Sequence, residues 1–172
     1  FAKYAAVIAL LVTSSFGIYS LFDTPSSQQM ITANVKPGSK SEIILPDGTK
    51  VQLNGATTIR YDINDTEQRL VHLSGEAFFD VAKKPDCPFR VMVNDFQIEV
   101  LGTSFNVNTY KKDVIETSLL TGKIKISGGS LPHEYTLTPG EKATYSGVDK
   151  ALKITKADVH VETGWCNDYL IF

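Results

Sequence analysis

The residue types that most often do chemistry are few in this 172-residue chain, and they are widely spaced. Its three histidines are His72, His133 and His160, and no two of them have the short spacing of a metal-ligand pair. The sequence also contains no phosphate-binding loop and no dinucleotide fingerprint. These observations predict no catalytic histidine, no metal site and no cofactor.

The best-placed pair of carboxylates is Glu76 and Asp80, which occur on the same face of one expected strand. On a strand that rises about 3.3 Å per residue their Cα atoms lie ~13 Å apart, which is too far for a general acid and base to work together. A solvated strand face, or a hydrogen bond to a neighbouring loop, is the simpler interpretation.

Ser104 lies two residues after Gly102, but the second glycine and the following helix of a nucleophile elbow are missing. We therefore predict that the chain is not an enzyme.

Cys87 and Cys166 are the only cysteines, and neither belongs to a C-x-x-C motif. Two interpretations stay open. They are either two separate thiols or one disulfide, which the redox conditions permit if the domain lies outside the cytoplasm.

The charge pattern bears on the class of partner. Seventeen basic and nineteen acidic residues are interspersed and leave a net charge of −2. Because no run of Lys or Arg occurs, the pattern argues against nucleic-acid binding. A protein, a peptide or a small molecule is the expected partner.

The amino-terminal stretch from Tyr4 to Phe22 carries no charge. As a helix these residues would span ~28 Å, close to the thickness of the hydrocarbon core of a bilayer. We predict a transmembrane anchor over residues 1–22, with the Lys3 end in the cytoplasm and the chain after Asp23 outside it. Residues 23–40 are rich in Ser, Gln, Thr and Pro, which predicts a linker. The chain lacks an initiator Met, and we expect it to be a segment of a longer protein.

From Ser41 onward the apolar residues alternate with period two, which is typical of an all-β domain. Asp47-Gly48 supplies the turn of a first hairpin. Many short strands separated by turn residues predict a two-layer sandwich or a rolled, solenoid-like β domain over residues 41–160. Residues 161–172 are predicted to be a closing segment.

Two positions interrupt the alternation. A single strand is predicted from Val71 to Val81, with Gly75 marking a bulge or a close backbone approach. After Gly102 the apolar residues move from even to odd positions, which predicts a bulge or bend there. A last short strand is predicted over Val159–Val161.

Seven stretches of the chain resemble, in the same order, the FecR-like anti-sigma regulators, particularly those of Bacteroidetes. They are LPDGTKVQLN (Leu45–Asn54), LSGEAFFDVAK (Leu73–Lys83), PFRV (Pro88–Val91), VLGTSFNV (Val100–Val107), LLTGKIKI (Leu119–Ile126), LTPGEKATY (Leu137–Tyr145) and WCNDYLIF (Trp165–Phe172). The resemblance implies structural roles for the motif residues Asp47, Gly48, Gly75, Glu76, Phe79, Asp80, Gly102, Phe105, Pro139, Gly140 and Trp165. Cys87 and Cys166 depart from the family pattern, in which polar or charged residues are usual.

The resemblance also implies a function. Such regulators are anchored in the inner membrane by one helix, with the β domain in the periplasm. They relay a signal from the signalling domain of a TonB-dependent outer-membrane receptor to an extracytoplasmic-function sigma factor, often with the help of regulatory proteases. Relatives carry a sigma-binding region before the helix and a small α/β domain after the closing segment.

Two further hypotheses follow from these expectations. The small, polar residues of the anchor weaken its helix and mark a candidate region for intramembrane cleavage: Ser14, Ser15 and Gly17. The alternative function is that of a membrane-anchored β module that binds a glycan or peptide directly.

Overall fold

A computed structural model describes residues 29–64 and 68–167 of the chain. These residues form fourteen strands, one short helix and one 3-10 turn, η1. In chain order they are β1 (Met30–Asn34), β2 (Ser41–Ile44), β3 (Lys50–Leu53), β4 (Thr58–Asp62), β5 (Leu70–Ser74), β6 (Glu76–Asp80), β7 (Phe89–Val93), β8 (Phe96–Val100), β9 (Ser104–Asn108), β10 (Val114–Thr121), β11 (Ile124–Gly128), β12 (Tyr135–Leu137), β13 (Glu141–Ser146), β14 (Ala151–Lys156), α1 (Val159–Glu162) and η1 (Gly164–Asn167).

The strands form two sheets of seven. The first sheet has the order β1-β4-β5-β7-β8-β11-β12, and the second has the order β14-β13-β10-β9-β6-β3-β2. Neighbouring strands are antiparallel except β5 and β7, which are parallel. Aromatic contacts join the inner faces: Phe79 lies 5.9 Å from Phe89, and Phe96 lies 5.0 Å from Tyr145, between ring centroids. The all-β prediction is confirmed, and of its two alternatives the structure has the two-layer sandwich.

The predicted strand from Val71 to Val81 is in fact two strands in different sheets. It is divided at Gly75, where the chain crosses from β5 in the first sheet to β6 in the second. Gly75 has φ +111°, and a Cβ there would lie 2.5 Å from Thr57 Oγ1 and 2.7 Å from Thr57 Cα. The predicted close backbone approach is therefore confirmed, but the prediction of one continuous strand was wrong. The alternation survives the crossing because the inner faces of both sheets point into the same core.

The phase change near Gly102 has a related cause. Here β8 of the first sheet ends and β9 of the second begins, so the chain crosses between sheets where we predicted a bulge or bend within the strand pattern. Leu101 takes up the change of phase and is 47% exposed, and a Cβ at Gly102 would lie 2.8 Å from Lys83 Cα. A side chain at this crossing would collide with the loop that follows β6.

The prediction from local sequence pattern is confirmed for the first hairpin and is wrong at both ends of the domain. β2 pairs with β3 around the Asp47-Gly48 turn, as predicted. Strand β1 lies inside the predicted linker 23–40 and pairs with β4, so the linker prediction is corrected for Met30–Asn34. The predicted strand Val159–Val161 is the start of α1, because the chain turns back after β14 and the amides of residues 161 and 162 donate to the carbonyl of Asp158.

Candidate functional site: the covered polar face of the second sheet

A buried carboxylate lies on the outer face of the second sheet. Glu76 is only 7% exposed. Its Oε2 accepts a hydrogen bond from Asn54 Nδ2 at 2.7 Å, and its Oε1 accepts from Asn106 Nδ2 at 2.9 Å and from Asn108 Nδ2 at 3.0 Å. Hydrogen bonds to an ionised acceptor are among the stronger ones in proteins, and these three compensate for the loss of water around the charge.

The sheet topology brings these residues together. β6 lies between β3 and β9, so Asn54 just after β3 and two alternate residues of β9 flank the first residue of β6. In the register Glu76 is opposite Asn108, and Phe78 is opposite Asn106. The three amides are 22, 30 and 32 residues from Glu76 in sequence. Of the two interpretations offered for Glu76, the solvated strand face is wrong, and the hydrogen bond to a neighbouring loop is confirmed by Asn54, which follows β3. The two amide partners on β9 follow only from the long-range pairing of strands.

A short segment at the carboxyl end of the described chain lies against this face. We call residues 159–167, which comprise α1 and η1, the C-terminal segment. Lys142 Nζ on β13 donates to both carboxylate oxygens of Glu162 at 3.0 Å and lies 3.2 Å from Glu116 Oε2. At the other end, Lys40 Nζ donates to the carbonyl oxygen of Trp165 at 2.5 Å. Two lysines from different parts of the domain thus hold the segment on the sheet.

Two polar side chains on this outer face are buried. Asn106 and Ser118 face each other across β9 and β10 on this outer face, and they are 3% and 2% exposed. Burial, with a smaller contribution from the negative charge of Glu76, raises the pKa of Cys166 to about 12, although Lys40 acts in the opposite direction. The thiol of the C-terminal segment therefore lies near the Glu76 carboxylate.

Two buried polar atoms of the segment and of this face have no partner among the described residues. Within the described ranges, Trp165 Nε1 and Asn106 Oδ1 are buried and make no hydrogen bond. A buried polar group without a partner costs about 1–3 kcal/mol relative to its hydrated state. The closed arrangement is therefore less favourable than its ion pair and hydrogen bonds alone would indicate.

A second buried charge has a structural role. Arg69 has φ +48° and a fully buried side chain, and its Nε lies 2.8 Å from Asp47 Oδ2. Its two Nη atoms donate to the carbonyls of Cys87 and Ala82, both at 2.6 Å. Burial alone would raise the pKa of Asp47, but hydrogen bonds from Thr49 and Arg69 outweigh it and hold that pKa below its usual value. The network joins the first hairpin turn to the loop between β6 and β7.

The other motif residues lie in the core or in turns. Phe79 stacks on Phe105 with ring centroids 5.2 Å apart. Gly48 and Gly140 both have φ near +85°, Pro139 precedes Gly140 in the turn before β13, and Asp80 accepts a hydrogen bond from Ser104 Oγ at 2.9 Å.

The potential catalytic residues do not converge. His72 is on β5, and His133 stacks on Tyr135 at 4.4 Å. The part of the chain that the structure describes contains no group of three potential metal ligands. Cys87 and Cys166 are not joined by a disulfide, so the interpretation as separate thiols holds in the structure.

Comparison with known proteins shows the family to which the chain belongs. The model of the FecR family, described as FecR protein, matches residues 31–125, which is over half of the chain. The chain belongs to the FecR family. The resemblance seen in the sequence motifs is therefore confirmed, and the Asp47, Gly75, Glu76 and Gly102 positions all lie within the matched FecR region.

Two solved structures resemble this FecR chain. They are crystal structures at 2.50 Å and 1.65 Å of a candidate anti-sigma factor from Parabacteroides distasonis. Both are 32% identical in sequence, with TM-scores of 0.77 and 0.76. The similarity covers 84% and 83% of this chain and 68% and 67% of theirs. No curated protein matches the chain.

The membrane prediction concerns residues outside the described part. In residues 29–64 and 68–167, no helix is both long enough and apolar enough to cross a bilayer. The predicted anchor, residues 1–22, and its candidate cleavage residues Ser14, Ser15 and Gly17 lie outside those ranges.

Proposed function

We propose that this FecR-family chain is part of a single-pass inner-membrane anti-sigma regulator. It relays a signal from a TonB-dependent outer-membrane receptor to an extracytoplasmic-function sigma factor and so controls transcription. The observation that carries the proposal is the similarity, at 32% identity and a TM-score of 0.77, to a candidate anti-sigma factor. FecR proteins are regulators and not enzymes, which agrees with the dispersed histidines of this chain.

The proposed topology rests on the amino-terminal sequence. The uncharged stretch from Tyr4 to Phe22 is long enough for one membrane crossing, and Lys3 precedes it. Residues 41–160 would then form the main part of a periplasmic FecR domain, with residues 161–172 leading away from it. Because the partners on the two sides of the membrane differ, the sigma factor would meet a cytoplasmic region and the receptor would meet a periplasmic one.

In this proposal the β-sandwich is a scaffold and transmitter. Its continuous core includes four fully buried phenylalanines, which makes it a rigid body: Phe79, Phe89, Phe96 and Phe105. A rigid domain between the anchor and the C-terminal segment can transmit a change of contact at one end to the other.

A transcription reporter driven by the cognate sigma factor tests the relay. Deletion of the full-length gene should make reporter output independent of the receptor's substrate, and restoring the gene should restore the dependence. Unchanged regulation after deletion would contradict the proposal. Saturable sugar binding by the domain, together with unchanged regulation, would instead support the anchored binding module.

Topology has its own test. Alkaline phosphatase fused after Phe172 should be active, because that enzyme folds only outside the cytoplasm. A cytoplasmic reporter fused at the same position should be inactive. The reverse pair of results would refute the single-pass arrangement.

A further inference from the structure

Polar contacts attach the C-terminal segment to the second sheet. Its two clear attachments are the Lys142–Glu162 ion pair and the bond from Lys40 to the Trp165 carbonyl. Both partners of the ion pair keep some contact with water, at 17% and 28% exposure. Such contacts are individually weak, because water competes for both partners when they separate.

The sandwich beneath the segment is held differently. A single apolar cluster joins both sheets, and its members include Phe79, Leu119 and Ile126, which are fully buried. Hydrophobic burial grows with the apolar area removed from water, so opening the sandwich costs far more than lifting a segment of nine residues. The two parts of the chain therefore differ strongly in the free energy needed to expose them.

Lifting the segment would also relieve an unfavourable feature. Trp165 Nε1 and Asn106 Oδ1 are buried without a partner in the described residues, and both would regain hydrogen bonds to water on opening. The outer face of the second sheet beside the segment carries hydrogen-bonding groups, because Glu76, Asn106 and Ser118 face outward there. Exposure of such a surface to water costs little free energy.

From these contacts we propose that the C-terminal segment is a latch that opens and closes while the sandwich remains folded. Opening exposes the Glu76–Asn106 face and releases α1 and η1 from the second sheet. The latch is a property of this chain itself and does not depend on the proposed relay. It gives the domain a closed and an open state that differ in the position of residues 159–167.

Cys166 reports on the latch directly. The thiolate is the reactive form of cysteine, so Cys166, which is half-buried and has a raised pKa, reacts slowly with a thiol reagent until the segment opens. We would purify the complete chain with Cys87→Ser in mild detergent, so that Cys166 is the single thiol, and measure its labelling by a chromogenic disulfide reagent at increasing urea. The latch predicts labelling that is nearly independent of urea below the unfolding transition, because local opening exposes little surface. Labelling that follows global unfolding, with the same urea dependence, would overturn the proposal.

A matched pair of variants tests the attachment. Glu162→Gln removes the charge that the segment presents to Lys142, whereas Glu116→Gln removes the other partner of the same lysine and leaves the segment unchanged. Glu162→Gln should raise the rate of Cys166 labelling about five- to tenfold, as expected for a partly exposed charged hydrogen bond. Glu116→Gln, and Lys153→Met on the exposed edge of β14, should leave the rate within about twofold. Equal effects of Glu162→Gln and Glu116→Gln would show that the segment is not held by this contact and would overturn the latch.

Discussion

Replacement of Arg69 by Met measures what the buried guanidinium contributes to stability. The Arg69 side chain is fully buried and that of Asp47 is 3% exposed, so the substitution leaves a buried carboxylate without its cation. It also leaves the carbonyls of Cys87 and Ala82 without the donors that lie 2.6 Å away. Removal of one partner of a buried ion pair typically costs about 3–5 kcal/mol.

A loss of this size is a large part of the total stability, since domains unfold with about 5–15 kcal/mol. At about 2–4 °C per kcal/mol, the melting temperature should fall by roughly 6–20 °C. Urea unfolding followed by circular dichroism on the complete chain would give the free energy of unfolding directly.

Arg90→Met is the matched control. Arg90 pairs with Glu99 at 3.0 Å, but the two side chains are 36% and 24% exposed. The same chemical change should cost only about 0–1 kcal/mol there, because water replaces the lost partner. If Arg69→Met destabilised the chain no more than Arg90→Met, the inferred role of the Arg69 network would be refuted.

Three further predictions concern pH, a crossing glycine and the anchor. The folded-state pKa of Asp47 lies below its usual value of 3.8, so its stabilisation is present above that pH and is lost as the pH falls through the folded pKa. The difference in unfolding free energy between wild type and Asp47→Asn should therefore be constant near neutrality and shrink in acid; a difference that grew with acid would contradict this sign. Gly75→Ala should cost more than Gly140→Ala in urea unfolding, because both have positive φ but only at Gly75 would a Cβ meet Thr57; equal losses would exclude the contact as the cause. Finally, replacing the three candidate cleavage residues by Leu should block the signal-dependent loss of the anchor, which immunoblotting would measure. These residues are Ser14, Ser15 and Gly17, and undiminished cleavage in the variant would reject them.

Sequence alone determined much about this protein, because its main signals are local. The alternation after Ser41 identified an all-β domain, since every second residue of a half-buried strand must be apolar. Asp47-Gly48 located the first hairpin, because a tight turn needs residues that tolerate positive φ. The ordered motifs also identified the family, which the FecR model then confirmed.

Tertiary structure alone decided how the strands are divided between sheets. Residues on either side of Gly75 keep the same alternation because both inner faces point into one core, so periodicity cannot report the crossing from β5 to β6. The same limit explains Val159–Val161, whose alternation resembled a strand although the residues begin α1. Period-two patterns record which side of the chain is buried, and they do not record which neighbour buries it.

The buried charges show most clearly the difference between what the sequence determines and what the tertiary structure determines. Nothing near Glu76 in sequence distinguishes it from a solvated carboxylate, because its amide partners come from 22 to 32 residues away. Likewise Arg69 meets Asp47 only because the fold brings the residue before β5 next to the turn between β2 and β3. Burial and pairing of a charge depend on long-range contacts, so they belong to the fold, whereas the strands that make those contacts were already encoded locally.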